Sequence, residues 1–283
     1  MKRPFAALTV ALALFAWLAP TALAEEEDQA GSYLALGDSV PFGFNPLVPP
    51  AQRGDPTKFV GYPEVFAASH GLSLANLSCP GETSASMIAP PPANPDLGCQ
   101  TFRAKNKHLH YDYAGPQLAA AVNYLQTHPA VSLVSITIGR NDLALLQRVC
   151  NNVVACELAG LPALQQRLAA NLTTILMAIR GTGYEGSLVA VNRYALDYRD
   201  ATEVELVGAI NRTLAMVTMR FDGDVANAFR AFREAGRHFD GDSCAARLLI
   251  VLSATPLNCD QHPSVVGREL LARTMGQALH DER

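Results

Sequence analysis

The sequence predicts an α/β fold in which a parallel sheet lies between layers of helices. Residues 131–138 form a nearly continuous β-branched run, as expected of a strand that is covered on both faces. Two later segments carry apolar residues at helical spacing, and each is followed by a short strand-like run. Strands that alternate with helices of this length pair in parallel, because each helix carries the chain back across the sheet.

The predicted elements follow one another from residue 33 onward. Apolar runs predict strands at residues 33–36, 72–77, 131–138 and 187–192, with a shorter strand around Val225. Helical spacing predicts helices at residues 63–70, 118–125, 164–179 and 204–221, and a last helix from about 264 to 279. The proline-rich stretch at residues 90–95 is expected to be a surface loop. No repeat or linker divides the sequence, so we expect a single domain over residues 25–283.

The first 24 residues have the layout of a secretory signal peptide. Lys2 and Arg3 precede an apolar run, and small residues at positions 21–24 precede an acidic run. We therefore expect cleavage after Ala24 and a secreted, extracellular protein. The alternative is an uncleaved membrane anchor, for which the apolar run is short, since a span needs about 20 residues. No later segment of the sequence is long and apolar enough to cross a bilayer, so we expect no stable membrane insertion.

The charge of the chain limits the partners that it can bind. It contains 26 acidic and 22 basic residues, which gives a formal net charge of −4 at pH 7, and the basic residues form no block. A mildly acidic chain without a basic cluster has little attraction for nucleic acid or for an anionic membrane surface. We expect a monomer whose partner is its substrate.

The six cysteines predict disulfide bonds. An even number in an exported chain favours disulfides over free thiols, and no pair has the C-x-x-C spacing that favours zinc. The sequence alone leaves many pairings open. The simplest one joins sequence neighbours, because each bond then closes one loop between regular elements: Cys79 with Cys99, Cys150 with Cys156, and Cys244 with Cys259.

Four short segments carry residue types that are suited to nucleophilic catalysis. Ser39, in a Gly-Asp-Ser turn after the first strand, either presents a nucleophilic hydroxyl at a helix N-terminus or only caps that helix. Gly81 offers a backbone N–H donor or forms an ordinary turn. Asn141 points its amide at an oxyanion, or it caps the following helix together with the next aspartate. His262, before the last helix, has the chemistry of a general base.

Together and in this order, these segments resemble the sequence blocks of the SGNH hydrolases, also called the GDSL type. The strings GDSVPFG at residues 37–43 and ITIGRND at 136–142 make the resemblance specific, and it extends over the whole mature chain. The resemblance implies a three-layer α/β/α sandwich of the flavodoxin-like type, with about five parallel strands in the order 2-1-3-4-5. The three cysteine pairs also resemble those of secreted esterases and lipases of this family.

The resemblance further implies an ester hydrolase that needs no metal and no organic cofactor. Ser39 would be the nucleophile and His262 its general base. The backbone N–H groups of Ser39 and Gly81 and the side-chain amide of Asn141 would hold the oxyanion. An acyl-enzyme on the serine would form and then be hydrolysed by water.

Two positions depart from the family pattern. The family's acid stands three residues before the histidine, where this chain has Cys259, so the nearest acid is Asp260. Either this carboxylate reaches Nδ1 of His262, or a backbone carbonyl near residues 257–258 orients the ring. We expect the aspartate to contribute, but less than a triad aspartate normally does. Arg140 replaces a small residue, and it would hold an anionic substrate group or pair with a surface acid.

The substrate class stays open at this stage. Four apolar residues after the nucleophile would line an acyl site or only anchor their loop: Phe42, Phe44, Leu47 and Val48. An apolar acyl site favours a lipase or carboxylesterase acting on small-molecule or lipid esters. One alternative is a carbohydrate esterase that removes acetyl groups from polysaccharide, and the other is a secreted binding domain without turnover.

Overall fold

A computed structural model describes Met1 and residues 31–89, 98–105 and 107–280 of the 283-residue chain. The predicted signal peptide beyond Met1 and the proline-rich stretch at residues 90–95 lie outside the described residues. The strands of the described part are β1 Ser32–Gly37, β2 Ser73–Asn76, β3 Val131–Thr137, β4 Ser187–Val191, β5 Asp224–Ala226, β6 Leu249–Ala254 and β7 Leu257–Pro263. Its α-helices are α1 Ser39–Phe42, α2 Tyr62–His70, α3 Ser84–Ile88, α4 Cys99–Arg103, α5 Gln117–Thr127, α6 Arg140–Val149, α7 Val154–Arg180, α8 Ala201–Met219, α9 Ala228–Ala235 and α10 Val265–His280.

Five of the strands form one sheet in the order β2-β1-β3-β4-β5, and every neighbouring pair is parallel. The α/β fold and the strand order expected from the resemblance are therefore confirmed. β1 is the second strand of this sheet and lies between β2 and β3. The carboxyl ends of these three strands therefore lie next to one another at one edge of the sheet, where functional groups of parallel α/β folds gather.

The strand residues alternate between two apolar cores, one on each face of the sheet. Leu34 and Leu36 of β1 pack in a core with α3, α5, α7 and α8. Tyr33 and Ala35 point to the opposite face, where α2, α9 and α10 supply the partners. Because side chains of a strand alternate with a period of two, a strand covered on both faces is apolar at nearly every position. This explains the continuous apolar runs that mark β1, β3 and β4.

The segment before the last helix differs from the sequence prediction. No strand was predicted there, whereas β6 and β7 pair as an antiparallel hairpin outside the five-stranded sheet. β7 is polar and only partly buried, so an apolar-run criterion does not detect it. The apolar run at residues 248–252 and the Thr255-Pro256 turn were the available signals. Helix α9 was also not predicted.

Three disulfides join the sequence neighbours named above: Cys79–Cys99, Cys150–Cys156 and Cys244–Cys259. The first ties the segment after β2 to the start of α4. The third ties β7 of the hairpin to the loop that precedes β6. In the part of the chain that the structure describes, no helix is long and apolar enough to cross a membrane.

Candidate active site

The Gly-Asp-Ser turn lies at the carboxyl end of β1. Gly37 has φ +132°, and a Cβ atom there would lie 2.1 Å from the carbonyl oxygen of Thr137 on β3, so only glycine fits. Asp38 is the N-cap of α1, because its Oδ1 accepts a hydrogen bond from the backbone N–H of Val40 at 2.9 Å. The cap is therefore the aspartate. Ser39 is the first helical residue and is half-buried, which leaves its hydroxyl accessible.

His262 connects this serine to a carboxylate. Its Nε2 lies 2.8 Å from Oγ of Ser39, and its Nδ1 contacts Oδ1 of Asp260. The same Oδ1 accepts the backbone N–H of His262 at 3.0 Å. Both residues belong to β7, whose pairing with β6 is irregular between Cys259 and Pro263. In this geometry the carboxylate, and not a carbonyl near residues 257–258, lies against the ring.

The charge of Asp260 fixes the tautomer of the histidine. Burial acts to raise the pKa of this carboxyl, but the hydrogen bonds and charge of His262 lower the pKa below its usual value. The ionised carboxylate has only acceptor atoms, so Nδ1 must carry a hydrogen. In the neutral ring Nε2 then presents its lone pair to the Ser39 hydroxyl. Within residues 31–89, 98–105 and 107–280, no group of three or more His, Cys, Asp or Glu side chains is arranged to hold a metal ion.

The three donors expected for an oxyanion follow β1, β2 and β3, which are neighbours in the sheet. As the first residue of α1, Ser39 has no intrahelical acceptor for its N–H. Gly81 has φ +85°, a left-handed conformation that favours glycine, and its carbonyl accepts the N–H of Gly98 at 3.0 Å. Nδ2 of Asn141 donates to the backbone carbonyl of Glu82 at 2.8 Å. An amide nitrogen has two hydrogens, so one remains for a ligand.

The residues on either side of Asn141 make polar contacts, and Asp142 is buried whereas Arg140 is half-buried. The N-cap of α6 is Gly139, without a side-chain hydrogen bond. The carboxylate of Asp142 accepts the backbone N–H of Ser84 at 3.0 Å and the hydroxyl of that serine at 2.5 Å, at the start of α3. Burial raises the pKa of Asp142, and these hydrogen bonds partly oppose the rise. Nη1 of Arg140 donates to Oε1 of Gln147 at 3.2 Å, within the same helix, and the charge of Glu203 also acts on its guanidinium. Burial lowers the pKa of Arg140.

Two residues that the sequence analysis did not select support the nucleophile turn. The amide of Gln117 pairs with both backbone groups of Gly37: Oε1 accepts the N–H at 2.6 Å, and Nε2 donates to the carbonyl at 3.0 Å. Nη1 of Arg193 lies 3.7 Å from Oδ2 of Asp38, and both side chains are less than 5% exposed. A single sequence gives no signal for such contacts, because each joins residues that are 80 or more positions apart in the chain.

The apolar loop after the nucleophile divides between core and site. Phe42 and Val48 are buried with Phe59 in a separate small core, so they anchor the loop and do not line an acyl site. Phe44 is half-buried, and the centroid of its ring lies 5.1 Å from that of His262. Leu47 is exposed. Of the four residues expected at an acyl site, Phe44 is the one that the structure places against the histidine.

No protein-family model and no curated protein matches the sequence, whereas solved structures do. The phospholipase A1 of Streptomyces albidoflavus is 18% identical, with a TM-score of 0.58 over 88% of this chain and 99% of that chain. A putative GDSL-like lipase of Parabacteroides merdae is 14% identical, with a TM-score of 0.52 over 88% and 95%. A variant of an acetyl xylan esterase from Geobacillus stearothermophilus is 15% identical, with a TM-score of 0.53 over 89% and 97%. This chain therefore has the α/β fold of the GDSL-type hydrolases, as its motifs implied.

Proposed function

We propose that the protein is a secreted serine esterase or lipase of the SGNH family. The observation that carries this proposal is the series of contacts from Ser39 Oγ through the ring of His262 to Asp260. The serine and the histidine are 223 residues apart in the sequence: Ser39 begins α1 after the first strand of the five-stranded sheet, whereas His262 lies on the two-stranded hairpin, so the fold has to bring them together. A hydroxyl, an imidazole and a carboxylate in this order are the parts of a nucleophile with its general base.

The geometry supports an acyl-enzyme mechanism. Nε2 of His262 accepts the hydroxyl proton of Ser39 as Oγ forms a bond to the ester carbonyl carbon, and the carbonyl π electrons move onto oxygen. The imidazolium then gives its proton to the departing alcohol oxygen as the carbon–oxygen bond breaks. Water repeats the sequence on the acyl-enzyme and releases the acid. Asp260 stabilises the imidazolium in both halves of the reaction through its contact with Nδ1.

The oxyanion is proposed to bind the N–H groups of Ser39 and Gly81 and the free amide hydrogen of Asn141. The order of the sheet supports this, because the three residues follow adjacent strands. Such donors favour the tetrahedral intermediate over the planar ester, and the loss of one typically costs about 10²–10³ in kcat.

The proposed substrate is a carboxylic ester with an apolar acyl group. Phe44 supports this choice, since its ring lies against His262 and offers an apolar wall beside the nucleophile. Solved structures with this fold include a phospholipase A1 and a lipase, but also an acetyl xylan esterase. An acetyl esterase acting on polysaccharide therefore remains the second candidate. A binding domain without turnover has no use for a histidine aligned between a hydroxyl and an ionised carboxylate.

Export is proposed from the predicted signal peptide and from the three disulfides, since disulfides persist in oxidising compartments. The mature protein recovered from the culture medium of an expressing host is expected to begin at Glu25. N-terminal sequencing measures this directly, and an intact Met1 would contradict it.

Labelling with a fluorophosphonate tests the nucleophile, and ester hydrolysis tests the activity. The wild type should be labelled once and should hydrolyse p-nitrophenyl esters, with rates compared over increasing acyl length and against release of acetate from acetylated xylan. Ser39→Ala should lose both properties. Ser69→Ala is the matched control, because Ser69 Oγ also lies 2.9 Å from a histidine nitrogen, Nδ1 of His70, outside the site. Labelling that persists in Ser39→Ala contradicts the assignment.

A further inference from the structure

Glu82 is a buried acid inside the proposed oxyanion site. It follows Gly81 directly, and only 1% of its surface is exposed to solvent. Its backbone carbonyl is the acceptor that holds Nδ2 of Asn141. The residue is therefore bonded to one proposed oxyanion donor through the chain and to a second through a hydrogen bond.

The carboxyl of Glu82 connects this residue to the turn that holds Ser39, the third proposed oxyanion donor. Nε2 of Gln117 donates to its Oε2 at 3.2 Å, and the same amide pairs with both backbone groups of Gly37, two residues before Ser39. Oε1 accepts the hydroxyl of Ser86 on α3, and the backbone N–H of Cys99 also donates to the carboxyl. Three donors thus converge on one carboxylate.

We propose that Glu82 is a positioning residue that sets the three oxyanion donors in one arrangement, and that only its ionised form does so. This inference rests on the proposed function and names a further residue for it. An ionised carboxylate has acceptor sites for all three donors, whereas the acid form carries a hydrogen of its own among them. Gln117 cannot turn its amide to accept that hydrogen without losing its paired contacts with Gly37.

The surroundings of the Glu82 carboxyl bring its pKa into the pH range in which esterase activity is measured. Burial raises the pKa of Glu82 to about 7, the hydrogen bonds of Ser86, Cys99 and Gln117 oppose the rise, and the charge of Asp38 adds to it. The groups that face the carboxyl are Asp38 from the end of β1, Ser86 from α3, Cys99 from α4, Gln117 from α5, and Tyr113 ahead of α5. Burial also raises the pKa of Tyr113, so this phenol stays neutral.

Two ionisations should therefore shape the acid limb of the pH–rate profile. In a serine hydrolase, the acid limb of the pH–rate profile ordinarily reports the protonation of the histidine base. Here the fraction of ionised Glu82 also falls as the pH drops through about 7. We expect log kcat to fall with a slope steeper than one in the wild type.

Glu82→Gln is the decisive variant, because glutamine has the same shape, one acceptor oxygen fewer and no titration. At pH 8.5, kcat should fall about 10- to 100-fold, as for misplaced catalytic groups, with KM within about threefold. The acid limb should return to a slope of one, so the ratio of wild-type to variant kcat should shrink toward lower pH. Glu203→Gln is the matched control: its half-buried carboxylate also accepts two backbone N–H groups, but these belong to Leu196 and Asp197 and not to the proposed oxyanion site, and the charge of Arg140 acts on it.

The outcomes separate the possible failures. An equal loss of kcat at every pH, or a kcat within threefold of Glu203→Gln, overturns the role of Glu82. If Glu82→Gln does not fold, judged by circular dichroism, Gln117→Met and the wild-type slope decide: unchanged kcat in Gln117→Met or a wild-type slope of one overturns the inference. A wild type that hydrolyses no ester, or an active Ser39→Ala, instead overturns the proposed function.

Discussion

The two halves of the candidate site are built differently. The proposed oxyanion donors follow strands of the central parallel sheet, and buried polar side chains such as Gln117 and Arg193 hold the nucleophile turn. His262 instead lies on a two-stranded hairpin outside that sheet. The hairpin is tied to the rest of the molecule by the Cys244–Cys259 bond and by the hydroxyl of Tyr194, which donates to the carbonyl of Gln261 at 2.8 Å.

This difference indicates how function and stability divide between the halves. Contacts on the sheet side are buried, so their removal leaves unpaired charges or polar groups in the core, which is costly for folding. Contacts on the hairpin side are partly exposed and act mainly on the orientation of one ring. We therefore expect substitutions on the sheet side to lower the free energy of unfolding, and substitutions on the hairpin side to lower kcat first.

The largest effect is expected on the hairpin side, at Asp260. Because its carboxylate contacts Nδ1 of His262, we replace the weaker contribution expected from the sequence: Asp260→Asn should lower kcat by about 10⁴-fold, since an amide at this place no longer fixes the tautomer or stabilises the imidazolium. The free energy of unfolding should change by only about 1 kcal/mol, since the carboxyl is partly exposed. Steady-state kinetics on a p-nitrophenyl ester and chemical denaturation measure the two. A loss of tenfold or less would mean that this carboxylate is not the orienting group.

The sheet side should give the opposite result at Arg193. Arg193→Met removes the charge facing Asp38 and leaves a buried carboxylate uncompensated, so the free energy of unfolding should fall by about 3–5 kcal/mol. Arg199→Met is the control, because this guanidinium pairs with Asp197 and Asp242 at the surface, so its removal should lower the free energy of unfolding far less. Urea denaturation of both variants checks the difference. Equal losses of unfolding free energy in the two variants would show that the buried Arg193–Asp38 pair stabilises the fold no more than the surface pairs of Arg199 do.

The smallest effect is expected at Tyr194, whose hydroxyl ties the hairpin to the rest of the molecule. Tyr194→Phe keeps the ring stacked on Phe232 but removes the hydrogen bond to Gln261, beside the histidine. We expect a loss of about 1 kcal/mol in stability and a fewfold lower kcat. Tyr184→Phe removes a similar bond, to the carbonyl of Ser187 at 2.6 Å, at the opposite end of β4. It should cost the same stability and leave kcat unchanged, and an equal kcat in the two variants would argue against the hairpin anchor.

Several features of the site were accessible from the sequence because they are local. Gly37 ends the first apolar run and Gly81 lies a few residues past the second, so their place near the carboxyl ends of β1 and β2 followed from the pattern. Phe42 and Val48 show the limit of such reasoning. They belong to the same apolar segment after the nucleophile as Phe44, yet they are buried in the small core, against which Phe44 packs while only partly buried.

Local patterns in the sequence were enough to predict the parallel sheet between two helix layers and the order in which the candidate catalytic segments follow its strands. They were also enough to select Ser39, Asn141 and His262 as candidate site residues. These depend on apolar periodicity and on glycine turns, which act over a few residues. Only the tertiary structure decided that Asp260 reaches the histidine, that Gln117 and Arg193 support the nucleophile turn, and that Glu82 lies between the donors. These contacts depend on the pairing of β6 with β7 and on the packing of distant helices against the sheet. Burial strengthens them, because polar interactions are stronger in the interior of a protein than in water.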